Sequence, residues 1–151
     1  METLISDEIR AWIGRSDVPQ TIEITRRDII KYAVATEQHL AKYLAGDEAP
    51  PMFLFGAHSP ATLPSLLGED GLLPDPLLPD LPLKRVMAGG ISQQHTRPVR
   101  PGDVVVITRR IADIYEKVGT SGPLIFVDYE IIVRTVAGDP IMVESQVRIV
   151  R

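Results

Sequence analysis

Ile125, Val127, Tyr129, Ile131 and Val133 alternate with more polar neighbours, and a two-residue period suits only a strand that buries one face. Similar runs flank it. Upstream, the turn Arg100-Pro101-Gly102-Asp103 separates two extended segments, and Gly119-Thr120-Ser121-Gly122 opens the next. Downstream, Ala137-Gly138-Asp139-Pro140 turns the chain again. The stretch from Lys84 onward therefore predicts a long antiparallel meander of four strands. Val104 and Val106 are expected to alternate in the strand after the Pro-Gly-Asp turn, with a bulge near Arg109-Arg110 where the apolar phase changes. In the last strand Ile141, Val143, Val147 and Ile149 alternate with Met142, Glu144, Gln146 and Arg148, which predicts a polar, solvated second face.

The first part of the chain is helical in pattern. Ile5, Ile9, Trp12 and Ile13 share one helix face, with Ser6 as N-cap and Gly14 as stop, and this short helix is expected to lie outside the main body. Ile22 and Ile24 suggest a short strand. Thr25 and Asp28 then have capping-box spacing ahead of Ile29, Ile30, Ala33 and Val34, an arc broad enough for a helix packed on a sheet. One curved antiparallel sheet around one helix satisfies this order. That is the α+β hot-dog arrangement, in a single domain over residues 1–151.

Most of the 13 prolines fall between Pro50 and Pro101. Proline lacks a donor and fixes φ, so Asp70 to Lys84 cannot be a central strand or long helix. Its leucines make it too apolar for a solvated linker. An ordered, leucine-anchored excursion on the domain or a neighbour is expected, with one short helix over Ala61–Leu67 ended by Gly68. A net charge of −4 with both signs dispersed, and no basic block, argues against nucleic acid. The absence of cysteine removes disulfides and thiolate metal sites. No apolar run is long enough for a membrane span or a signal core, which predicts a cytoplasmic protein.

Several motifs in order resemble one family: Trp12 to Arg15, Ala49-Pro50-Pro51 with Met52-Phe53, Leu81 to Arg85 leading into Met87 to Gly90, His95 to Asp103, and Lys117 to Val127. The chain resembles the MaoC-like dehydratases, specifically the N-terminal hot-dog half of mesaconyl-CoA and 3-methylfumaryl-CoA hydratases. The resemblance implies hydration of enoyl-CoA or dehydration of 3-hydroxyacyl-CoA thioesters, with coenzyme A only as part of the substrate and no separate cofactor. It also implies a homodimer or a heterodimer with a second MaoC-like subunit. Active halves of the family carry an Asp and a His in a D-x-N-P-x-H motif after the central helix, where they hold a water and move its proton. The corresponding stretch here, Ala35 to Tyr43, lacks that Asp, the Asn-Pro and the His spacing. The departure points to a supporting half of the enzyme.

Glu37 and His39 are the remaining candidate catalytic residues, for a self-sufficient hydratase or a thioesterase that uses Glu37 as base or nucleophile. A non-enzymatic acyl-CoA-binding subunit is the third possibility. Met52, Phe53 and Phe55 are candidates for the acyl end. Gly89 and Gly90 mark either a bulge or a close approach of the thioester arm. His95 and the loop residue His58 are candidate polar linings, and Arg97 and Arg100 candidate phosphate ligands, weighed against ordinary surface roles. Arg26-Arg27 and Arg109-Arg110 read as solvated charge. Three scattered histidines predict no metal site.

Overall fold

The computed structural model describes residues 3–57 and 62–151. His58 and Ala61 lie outside them. The elements run α1 (Asp7–Arg10), β1 (Gln20–Glu23), α2 (Arg26–Ala35), α3 (Ala41–Leu44), α4 (Phe53–Ala57), β2 (Val86–His95), β3 (Val104–Gly119), β4 (Gly122–Thr135) and β5 (Pro140–Val150). All the strands pair antiparallel in one sheet of order β1-β3-β4-β5-β2. It is an α+β hot-dog: the sheet curves around α2.

The buried face of β4 is the alternating set read from the sequence, Ile125 to Val133, each at or below 2 % exposure. Residues directly opposite in an antiparallel pair share a face, so the register assigns the inner face of the other strands. On β3 it carries Ile107, Arg109, Ile111 and, past the bulge, Ile114. On β5 it carries Met142, Glu144, Gln146, Arg148 and Val150. Both assignments correct the sequence reading. Val105 and Ile107, not Val104 and Val106, are the inward pair, because three consecutive valines leave the phase undetermined. The bulge falls at Ala112, between Ile111 and Asp113, two residues beyond its expected place. The supposedly solvated set of β5 faces the interior, and Val143 faces outward at 41 % exposure.

The meander holds only for β3, β4 and β5. β2 pairs with β5, at the edge opposite β1, so the Pro-Gly-Asp turn belongs to a crossover and not to a hairpin. The crossover is tied along its path: Thr96 N–H donates to Ile141 O, Ala49 N–H to Val99 O, and Gly102 N–H to Ile24 O, each at 2.8 Å. Arg97 braces its turn with two hydrogen bonds to Asp103, at 2.8 and 3.0 Å.

Thr25 Oγ1 accepts from Asp28 N–H at 3.1 Å, so the predicted cap of α2 is present. Only Ile29 and Ala33 of this helix are fully buried, and Val34 stays 62 % exposed. One flank of α2 is thus uncovered among the described residues, contrary to the broad burial expected. Gly46 (φ +71°) approaches the other side so closely that a Cβ would sit 2.8 Å from Arg26 O. The N-terminal helix is a single turn capped by Ser6, and its Ile5 and Ile9 join the core instead of lying outside it.

The Pro/Leu excursion packs on its own domain through Leu77 and Leu81, at 3 % and 4 % exposure. Within the predicted helix there is one exposed 3-10 turn, Pro64–Leu66. Asp75 fastens the excursion to the sheet: its carboxylate takes hydrogen bonds from Arg109 at 2.6 and 3.1 Å and from Arg148 at 2.5 Å. Arg109 also reaches Asp17 at 2.7 Å, and both guanidiniums stack over the Tyr129 ring. Arg109 is therefore an interior anchor, correcting its reading as solvated charge. Among the described residues no helix is long and apolar enough to cross a membrane.

Candidate active site

The turn after α2, where active members of the resembled family carry their motif, closes on itself. Gln38 N–H donates to Ala33 O at 2.9 Å and Glu37 N–H to Val34 O at 3.2 Å. This paired capping needs a left-handed residue at its centre, and Glu37 occupies it with φ +53°. Glu37 and His39 are both exposed, and neither side chain hydrogen-bonds to the other. The turn brings no carboxylate–imidazole pair together.

A cavity of about 300 Å³ opens between α3, α4 and the crossover. That volume sits at the lower end of the range for small-ligand pockets, enough for a short acyl chain or a segment of pantetheine. Tyr43, Pro50, Pro51, Phe53, Leu54 and Val99 make its apolar wall, and Glu48, His95, Thr96 and Arg97 its polar one. The wall is braced from α2, where Tyr32 meets Phe53 edge-on at 5.5 Å.

Of the residues singled out in the sequence, Phe53, His95 and Arg97 line this cavity. Met52 and Phe55 flank it at 40 % and 41 % exposure without lining it. Arg97 arrives with its fork already held by Asp103. That hydrogen bond, against a weaker push from burial, holds the Asp103 carboxyl below the usual carboxylate range. As a phosphate ligand Arg97 would first have to leave that partner. Arg100 lies outside the lining, 55 % exposed and 4.0 Å from Glu48. Gly89 and Gly90 are at the other end of β2. There the register shifts between Ala88 and Gly90, and a Cβ on Gly89 would meet Val147 Cγ1 at 2.8 Å. The bulge and a close approach are both present, but the approach is to β5.

No local pattern marks Tyr43, Glu48, Thr96 or Val99 as lining residues, because the crossover that gathers them is a long-range feature. Nor did it signal the buried group next to His95. Glu144, 1 % exposed, accepts from Gln93 Nε2 through one oxygen and from Gln146 Nε2 through the other, and Gln93 Oε1 lies 3.1 Å from His95 Nε2. Among the described residues no cluster of His, Asp or Glu has the arrangement of a metal site.

The strand β2 completes the picture of an unfinished site. It is paired on one side only, and Val86, Met87 and Ile91 are exposed at 42 %, 36 % and 44 %. Val34 of α2 and Leu40 ahead of α3 are exposed as well, at 62 % and 54 %.

Residues 11–144 match the family described as FAS1-like, dehydratase domain region. A UPF0336 protein of Thermobifida fusca (strain YX) is 28 % identical over 146 residues, covering 94 % of this chain and 93 % of that protein. The C-terminally truncated HadBC (3R-hydroxyacyl-ACP dehydratase) complex of Mycobacterium tuberculosis superposes with a TM-score of 0.64 at 14 % identity, over 97 % of this chain and 99 % of the other. A MaoC-like dehydratase from Rhodospirillum rubrum does so with a TM-score of 0.55 at 16 % identity, over 91 % of each chain.

Proposed function

The chain belongs to the FAS1-like dehydratase region family, of MaoC-like hot-dog type, and from that premise we propose that it is the supporting half of an (R)-specific enoyl-CoA hydratase or 3-hydroxyacyl-CoA dehydratase. One observation carries the reading. The turn closing α2 holds no Asp/His pair, yet a ligand-sized cavity lies at the His95 end of β2, whose unpaired edge is an open flank of the sheet. A second hot-dog subunit covering that flank would supply the pair and the opposite wall. That one of the similar structures is a two-protein dehydratase complex supports this arrangement.

In this reading the chain positions and the partner reacts. The apolar wall around Phe53 and Leu54 takes the hydrocarbon arm and excludes water from it. The partner's carboxylate and imidazole hold the water that adds to the β-carbon, or take it away in the reverse direction. Coenzyme A enters with the substrate, and the cytoplasm, where such thioesters are made and used, is the proposed compartment.

The test uses purified chain and crotonyl-CoA. Alone, the chain leaves the enone absorbance unchanged; mixed with a MaoC-like protein that carries the Asp/His motif and binds it, the absorbance falls. Turnover by the chain alone that disappears in Glu37→Gln or His39→Ala would replace this proposal with a self-sufficient enzyme.

A further inference from the structure

Glu144 is a carboxylate buried among Ile131, Met142 and the strand backbone, with no cation among its hydrogen-bond partners in the described residues. Burying such a group is costly unless both oxygens are hydrogen-bonded. Here each oxygen receives one amide N–H, from Gln93 and from Gln146. The register makes this a built arrangement: Gln93 stands directly opposite Glu144 in the β2–β5 pair, and His95 follows two residues along the same face.

The polarity of the chain of contacts follows from chemistry. A carboxylate only accepts, so Gln93 must turn its NH₂ to Glu144 and its carbonyl oxygen away. That oxygen, 3.1 Å from His95 Nε2, can also only accept. The proton on the neutral imidazole must then sit on Nε2. His95 Nδ1 is left with a lone pair and without a partner among the described residues, on a ring that lines the cavity. Resting on the cavity reading above, we infer that Glu144, through Gln93, fixes His95 as the Nε2–H tautomer and so makes Nδ1 the acceptor for a donor group of the bound thioester, its 3-hydroxyl or a pantetheine amide N–H. Glu144 and Gln93 are positioning residues, and His95 is the group that touches ligand. A purely structural Glu144, pinning β2 to β5, would make no demand on the imidazole.

The imidazole nitrogens of the full chain report this directly. Nitrogen shifts are recorded near pH 9, well above the ordinary imidazole value of about 6.5, with His39→Gln and His58→Gln used for assignment. The expected result is one tautomer of His95, protonated on Nε2, that relaxes to a solution-like mixture in Glu144→Gln and in Gln93→Met. The second variant sits at a half-buried position of an otherwise exposed edge strand and keeps the test valid if the first fails to fold. A wild-type ring protonated on Nδ1, or already a mixture, overturns the inference. Butyryl-pantetheine and (3R)-3-hydroxybutyryl-pantetheine are then added. A shift of Nδ1 with both assigns the amide as donor, and a shift with the second alone assigns the hydroxyl. Movement of the Thr96 and Val99 amides without Nδ1 overturns the inference and leaves the cavity reading standing. No movement at any of these positions overturns both.

Discussion

Glu37 holds a conformation that L side chains disfavour by about 1–2 kcal/mol, at a position where the capping geometry asks for glycine. Its exposed side chain makes no hydrogen bond among the described residues that offsets this. Glu37→Gly is therefore expected to stabilise the chain by about 1 kcal/mol and to raise the melting temperature by about 2–4 °C. Thermal unfolding followed by circular dichroism checks it, and a lower midpoint would mean that the side chain holds the turn in some other way. The same scale shows where sequence reading stops. Thr25, Ser6 and the alternation of β4 are local signals and are found as read. Glu144, Arg148 and Arg109 are not, because charged residues default to the surface and their partners lie far along the chain. Asp75 is 34 residues from Arg109, and Gln93 is 51 from Glu144.

At the scale of elements, the Pro/Leu excursion is the part most dependent on a single polar anchor. Leu77 and Leu81 supply burial, but Asp75 selects where the segment lies, with Arg109 and Arg148 on adjacent parts of the inner face. Their side chains are 10 %, 17 % and 28 % exposed, so removing the carboxylate takes from Arg148 its ion-pair partner and leaves Arg109 with Asp17 alone. Asp75→Asn is expected to cost on the order of 3 kcal/mol and to increase proteolysis between Thr62 and Leu83. Unchanged cleavage and urea midpoint would show that the leucines alone suffice. The pH dependence has a definite sign. Burial pushes the Asp75 carboxyl up, but the hydrogen bonds and charge of Arg109, the Leu77 N–H and the charge of Arg148 outweigh it and hold it below its ordinary value. A depressed carboxyl contributes stability above its unfolded value, about 3.9, and loses it as pH falls through the folded one. Urea midpoints should thus drop more steeply below about pH 4 in the wild type than in Asp75→Asn; parallel curves would exclude this linkage. Composition made the excursion legible as ordered and leucine-anchored. It did not reveal the anchor, since an Asp between prolines reads as turn chemistry.

For the whole molecule the decisive feature is the strand order. An Arg-Pro-Gly-Asp turn bends the chain equally well whether its ends pair or cross over, so local chemistry could not distinguish a hairpin from the observed crossover. The crossover has two consequences at once. It builds the cavity from Thr96 to Val99, and it places β2 at the edge of the sheet opposite β1. An edge of ten residues paired on one side, with Val86, Met87 and Ile91 exposed, is a template for another chain. Stable association needs roughly 800 Å² from each partner, so a partner on β2 has to reach beyond the strand edge. Ile91 stands on the inner face, opposite Gln146, where a second subunit would pass to reach the cavity. Ile91→Lys places a charge there while leaving the hydrogen bonds of the β2–β5 ladder intact. At 44 % exposure the residue contributes little to the isolated fold, so the unfolding free energy should change by less than about 0.5 kcal/mol. The mass in solution should fall from that of an assembly to that of one chain, read by light scattering on a sizing column. An assembly that survives with its mass unchanged would place the partner elsewhere than on β2.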